Sequence, residues 1–219
     1  MTPRSSNGTD RSAPQLYLIA PAFDAAGAGA ALLRAAVAAA PCAAVLLRLP
    51  DTDERAQINS VKTIAPGLQQ AGVAVLLDGH PTIVAKSGAD GAHLSGPAAF
   101  EDSAAALRPK FIAGAGGLLT RHDAMVVAEQ GADYVMFGEP DEAGRRPPFT
   151  AIVERVNWWA ELFEPPCVGY AGAPDEVVPL VQAGADFVAV GDFVFADPER
   201  TTSLLAAVAR DMTGAERVT

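Results

Sequence analysis

The chain has 219 residues, half of them hydrophobic and only 19% charged, which supplies a large buried core and excludes an intrinsically disordered chain. Lys and Arg total 16 against 26 for Asp and Glu, a net charge of -10; such an acidic chain repels phosphate backbones and anionic bilayers, so neither nucleic acid nor membrane is the expected partner. Two cysteines, Cys42 and Cys167, without a C-x-x-C spacing read as reduced thiols of a cytoplasmic protein, not as a zinc site or a disulfide framework.

Residues 1–14 are polar, with Ser5, Ser6, Asn7, Gly8 and Asp10, and have no apolar run of the kind an export signal needs. They are predicted to form a flexible tail ahead of one domain over 15–219. The longest uncharged apolar stretch, Ala35–Leu47, contains Pro41 and falls short of the ~18 residues that span a bilayer. Strands are predicted at Leu16–Ala20, Ala44–Arg48, Val73–Leu77, Gly91–Leu94, Phe111–Gly114, Tyr134–Phe137, Cys167–Gly169 and Phe187–Val190. Helices are predicted between and after them at Ala28–Ala39, Glu54–Gln70, Thr82–Lys86, Ala98–Leu107, Thr120–Glu129, Thr150–Leu162, Asp175–Gln182 and Pro198–Arg210. Pro198 would sit in a first turn, where proline is tolerated.

Three segments repeat one another: Gly88-Ala89-Asp90, Gly131-Ala132-Asp133 and Gly184-Ala185-Asp186, each between a helix-like run and a short apolar run. A weaker relative is Gly72-Val73. Glycine suits the left-handed position just past a helix end, because it has no Cβ to clash there. An apolar run without alternation suits a parallel strand buried on both faces. Gly88 and Gly131 are 43 positions apart and Gly131 and Gly184 are 53 apart, about two strand-plus-helix units each. Eight strands alternating with eight helices define a single (β/α)8 TIM barrel. The competing open, doubly wound sheet would need two strands to be absent, and no G-x-G-x-x-G opens an early helix.

In such a barrel the site lies at the C-terminal ends of the strands, which turns the strand list into a list of candidates. Arg48 ends the second strand and either faces the barrel mouth, gripping phosphate or carboxylate, or pairs with Asp51. Asp78 ends the third strand. Gly116 follows the fifth, Arg145 and Arg146 lie in the stretch 141–148 after the sixth, Gly172 follows the seventh, and Gly191 and Asp192 follow the eighth. The glycines after strands seven and eight are either tight turns or a phosphate cradle of backbone N–H groups. Arg145 and Arg146 sit either on a solvated loop or on one that closes over an anion. His93, at the end of strand four, is either an acid–base group or a packed histidine with both ring nitrogens satisfied. Trp158 and Trp159 are adjacent on one helix, so at most one faces the core and the other is a candidate homodimer contact.

The segments Val73–Ser95, Phe111–Gly138 and Val168–Val190 resemble thiamine phosphate synthase and its sister, the thiazole tautomerase, over roughly residues 15–210. The resemblance implies a TIM barrel that joins a pyrimidine methyl diphosphate to a thiazole phosphate, releasing diphosphate with Mg2+. Its partner would be a phosphorylated small molecule. The family's Gln-x-Arg-x-Lys run reads Leu46-Leu47-Arg48-Leu49-Pro50 here, and its Asn-Asp pair reads Asp78-Gly79. The family's second metal aspartate falls near Ala98, its strand-five serine on Gly116, and its Thr-x-Thr-Lys run on Ala143-Gly144-Arg145-Arg146. Of the Gly-Ile-Gly-Gly-Ile run, Gly172 is kept. Magnesium is the usual partner of a departing diphosphate, so these departures predict synthase turnover far below that of a complete motif set, or none. The alternatives are a non-catalytic phosphate-ligand-binding relative acting as sensor or carrier, and a tautomerase-like isomerase, whose family histidine is here Gly117-Leu118.

Overall fold

The computed structural model describes residues 13–22, 27–141 and 143–215. Most of the predicted tail, and the last four residues, lie outside the described residues. Eight parallel strands close into a barrel in chain order: β1 (Gln15–Ala20), β2 (Cys42–Leu47), β3 (Ala74–Asp78), β4 (Gly91–Ser95), β5 (Ile112–Gly116), β6 (Tyr134–Phe137), β7 (Cys167–Tyr170) and β8 (Phe187–Val190). Pairing of β1 with β8, Leu16 beside Val188 and Leu18 beside Val190, completes the ring and rules out an open sheet.

The helices pack outside. They are α1 (Ala28–Ala39), α2 (Glu54–Gln70), α3 (Val84–Ser87), α4 (Pro97–Leu107), α5 (Arg121–Glu129), α6 (Phe149–Leu162), α7 (Val177–Gln182), α8 (Asp192–Phe195) and α9 (Thr201–Gly214). Between strands and helices lies a continuous apolar layer that includes Leu33, Leu68, Phe100, Trp159, Leu180 and Leu205. Trp159 takes the core position and donates its indole N–H to the Pro165 carbonyl at 2.7 Å. Trp158 is partly buried, with the Arg121 guanidinium 4.9 Å over its ring.

The repeated Gly-Ala-Asp segments have one physical job. Gly88, Gly131 and Gly184 take φ of +81, +91 and +93 as their helices end, and the following alanines are buried. Each aspartate then reaches across to the strand before its own. Asp90 accepts the Val75 N–H at 2.7 Å, Asp133 the Ala113 N–H at 2.8 Å and Asp186 the Cys167 N–H at 2.9 Å. Three carboxylates thus latch β3, β5 and β7 at the N-terminal rim of the barrel, at the end opposite the expected site.

The predicted helix ends differ from the structure at three places. The runs at 82–86 and 175–182 each open with a three-residue 3-10 turn, Pro81–Ile83 and Pro174–Glu176, whose proline cannot donate into an α turn. The last helix starts at Thr201 and not at Pro198, because the buried Thr201 hydroxyl donates to the Val194 carbonyl at 2.9 Å. That bond also holds α8, a single turn after β8 for which the sequence has no separate signal.

Candidate active site

The barrel interior is a chain of polar side chains set among apolar ones. On β5 the alternation turns Gly114 and Gly116 toward the axis, and neither has room for a side chain. A Cβ on Gly114 would land on the Tyr134 ring, and one on Gly116 would land on the Glu139 carboxylate and on His93 Nε2. The space that β5 leaves empty is filled from its neighbours. Tyr17 of β1 and Tyr134 of β6 share a hydroxyl–hydroxyl bond of 2.8 Å. The Tyr134 hydroxyl lies 2.8 Å from His93 Nδ1, and His93 Nε2 lies 3.1 Å from the Glu139 carboxylate just past β6.

Burial sets the charges of this relay. Tyr17 and Tyr134 are held above their ordinary value, first by desolvation; at Tyr17 the Tyr134 partner adds to this, at Tyr134 the hydrogen bond with Tyr17 works against it, and the charges of Glu139 and Asp78 raise both, so both are neutral hydroxyls. At His93 burial works to lower the pKa, yet the charge of Glu139, the hydrogen bond to it and the charge of Asp78 together outweigh burial, and the net shift is upward. The histidine is 2% exposed and Glu139 is 15% exposed. The structure matches the packed reading of His93, with both ring nitrogens partnered, and it is the carboxylate partner that faces a cavity.

That cavity, of about 420 Å³, lies at the C-terminal ends of β4, β5 and β6 and is lined by Ser95, Gly117, Leu118, Met136, Glu139, Arg145 and Arg146 among others. A second apolar cavity of about 310 Å³ lies at the other end of the barrel, beside Tyr17 and Tyr134.

The remaining candidates form two clusters that meet at Tyr170. Arg48 faces the barrel mouth and pairs with Asp78 at 3.5 Å and Asp192 at 3.3 Å; its partners are these two and not the Asp51 considered from sequence. The Tyr170 hydroxyl donates to Asp192 at 3.2 Å. Burial, followed by the charge of Asp192, pushes its pKa up to about 12. On its other side Tyr170 stacks under the Arg146 guanidinium at 5.3 Å, and its carbonyl accepts from Arg146 Nη2 at 3.2 Å. Arg146 Nη1 donates to Glu176 at 2.8 Å, while its Nε is buried without a hydrogen-bond partner.

Two expectations are modified. The Gly172 N–H donates to the Glu176 carboxylate at 2.7 Å, so the chain's own anion occupies that donor; a Cβ there would also strike Arg146. Gly191 has little room for a side chain, since a Cβ there would crowd Ile19 of β1, and it opens the single turn α8. The stretch after β6 is a turn tied by Asp141, which accepts the N–H groups of Ala143 and Arg145 at 2.9 Å each and the Arg145 side chain at 3.0 Å. Arg145 is 80% exposed and only its neighbour reaches inward. His122 is exposed, and His80 is half-buried.

The donors do not fit a resident magnesium ion. Among the described residues no three His, Cys, Asp or Glu side chains converge to hold a metal. Asp78 and Asp192 both face the same guanidinium, whose charge fills the place a cation would take. Sequence reasoning missed Glu139 because His93 and Glu139 are 46 positions apart and meet only through the barrel; the available signal was a lone carboxylate directly after a buried strand.

A closed (β/α)8 barrel with arginines and carboxylates ringing its C-terminal mouth is a protein that handles small charged ligands. A family model for thiamine monophosphate synthase matches residues 16–194, and the chain belongs to that family. It is 39% identical to the thiamine-phosphate synthase of Rhodospirillum centenum over 91% of this chain and 98% of that one. It is 33% identical to that of Hyphomonas neptunium over 85% and 90%. Among solved structures it superposes on a thiamine phosphate pyrophosphorylase from Pyrococcus furiosus with a TM-score of 0.74, at 18% identity, over 93% of this chain and 97% of that one. Orotidine 5'-phosphate decarboxylase from Pyrococcus horikoshii shares the fold alone, with a TM-score of 0.64 at 12% identity. Among the described residues no helix is long and apolar enough to cross a membrane.

Proposed function

We propose that the protein is a transferase of the thiamine-phosphate synthase type, joining a pyrimidine methyl diphosphate to a thiazole phosphate. The observation that carries this is the cavity over β4–β6, which is lined by both Arg146 and the Glu139 carboxylate on a barrel of this family. In the reaction the bond from the methylene carbon to the diphosphate oxygen breaks and its electron pair leaves on the diphosphate. The thiazole supplies the pair for the new bond to carbon. Negative charge therefore grows on the leaving oxygen, and one fixed donor aimed there is worth ~3–4 kcal/mol. Arg146 is the first such donor and Arg48 the second, once a ligand displaces its carboxylates.

Binding of a phosphorylated small molecule and a cytoplasmic location belong to this reading, and a homodimer is compatible with it. This chain's part at the diphosphate is to supply guanidinium charge. A second reading, a phosphate-ligand-binding sensor or carrier without turnover, is favoured by the pairing of Arg48 with both Asp78 and Asp192. Titration of the purified chain with inorganic pyrophosphate, with and without magnesium, tests the anion site. Binding weakened by Arg146→Ala is expected, and a wild-type chain that binds no pyrophosphate under either condition would remove the basis of both readings.

A further inference from the structure

We propose that Glu139, held by His93 in the space opened by Gly116, receives the N–H-bearing or positive end of a dipolar substrate whose phosphate end lies against Arg146 in the same cavity. The inference rests on the transferase reading and deepens it, since it names what selects the heterocyclic half of the substrate.

Room comes first. At Gly116 any side chain would collide with Glu139 and His93, so the bare glycine and the carboxylate that fills its place are one structural fact. The second is orientation. His93 engages one side of the Glu139 carboxylate, at 3.1 and 3.4 Å to its two oxygens, and a carboxylate has about four acceptor sites. The acceptors that remain belong to a group lining the cavity.

The third argument is rigidity. His93 is fixed in turn by Tyr134, and Tyr134 by Tyr17, through 2.8 Å bonds in a buried relay. The carboxylate is thus held before any ligand arrives, which lowers the ordering cost of binding. The fourth is complementarity. The same cavity is lined by Arg146, whose guanidinium is held in place by Glu176 and the Tyr170 carbonyl. One cavity lined by an anionic hydrogen-bond acceptor and by a guanidinium fits a nitrogen heterocycle bearing a phosphate tail. Glu139 is the specificity-determining group and His93 a positioning residue acting through it.

The test is calorimetry on the full chain with three probes: the pyrimidine methyl diphosphate, benzyl diphosphate, which has no N–H, and inorganic pyrophosphate. A charge-assisted hydrogen bond corresponds to about ten- to a hundredfold in affinity. The wild-type chain is expected to prefer the pyrimidine over the benzyl compound by that factor. Glu139→Gln is expected to erase the preference while pyrophosphate binding stays within about twofold, and Gly116→Ser, which displaces the carboxylate, is expected to do the same. His93→Gln should lower the preference and move its pH profile. Equal binding of the two organic diphosphates to the wild type overturns the inference without any variant having to fold. So does a Glu139→Gln chain that loses affinity for pyrophosphate as much as for the pyrimidine. Product formation by the wild type alongside either result leaves the transferase reading standing and removes only the role of Glu139. A wild-type chain that binds none of the three probes removes both.

Discussion

Replacing Glu139 with Gln removes the largest of the effects that together outweigh burial at His93, and the consequence is a change in how stability depends on pH. In the wild-type fold the His93 pKa is raised above its unfolded value of ~6.5. A raised folded pKa contributes stability that is fully present below ~6.5 and is lost as pH climbs through the folded value. In the Gln variant the remaining effect is led by burial, which disfavours the charged ring, so the same histidine then destabilises the fold on the acid side. The contact is 3.1 Å long with partners 2% and 15% exposed, so exposure does little to screen it. A hydrogen bond between charged groups in that setting is worth ~1.5–3 kcal/mol. For a chain of this size each kcal/mol moves Tm by ~2–4 °C, so at pH near 6 the variant should melt ~3–12 °C below the wild type. The assay is a series of thermal melts on both proteins from pH 6 to 9. The gap is expected to shrink steadily as pH rises. Parallel curves over that range would refute the reasoning and mean that His93 is neutral throughout.

Further outcomes follow from other contacts. Asp186→Ala leaves the Cys167 N–H without its 2.9 Å carboxylate acceptor; the loss of ~1–3 kcal/mol should appear as a lower denaturant midpoint with pyrophosphate affinity unchanged. Gly131→Ala places a Cβ at φ +91 and onto the Arg108 guanidinium, so a loss of at least ~1 kcal/mol is expected in the same melts. Arg48 is about one-third exposed in both its ion pairs, and pairs of that kind are worth ~0–1 kcal/mol. Arg48→Ala should therefore barely move Tm while weakening pyrophosphate binding about ten- to a hundredfold. Magnesium chloride alone should leave the wild-type Tm unchanged, because Asp78 and Asp192 are both engaged by Arg48; a Tm that rises with magnesium in the absence of pyrophosphate would show a cation site at the mouth.

Most of the barrel was legible because parallel strands buried on both faces read as short apolar runs, and the glycines that end the intervening helices mark the beat. The strands Tyr134–Phe137 and Phe187–Val190 and the helices Ala28–Ala39 and Glu54–Gln70 fall where the pattern puts them. What the pattern could not show is what the aspartates of that repeat do. Asp90, Asp133 and Asp186 act on the strand before their own, a contact between elements and not within one. The site was legible in the same uneven way. Strand ends located Arg48, Asp78 and Asp192, and their meeting is visible only once β2, β3 and β8 are ringed. Glu139 escaped because its meaning depends on a side chain that Gly116 lacks. Read along the chain, that glycine is a lost hydroxyl; in the barrel it is the space that holds an ion pair.

The central claim is tested most directly by mixing the two phosphorylated precursors with the wild-type chain and magnesium and measuring thiamine phosphate and released diphosphate with time. The transferase reading predicts one diphosphate per thiamine phosphate, no product when either precursor is omitted, and turnover well below the ~1–10³ per second of ordinary enzymes, because the resemblance places Pro50 and Gly79 at the positions it assigns to a lysine and a metal-binding carboxylate. Complete absence of product from a chain that binds pyrophosphate would contradict the transferase reading, and turnover inside the ordinary range would contradict the claim that the altered charges slow it.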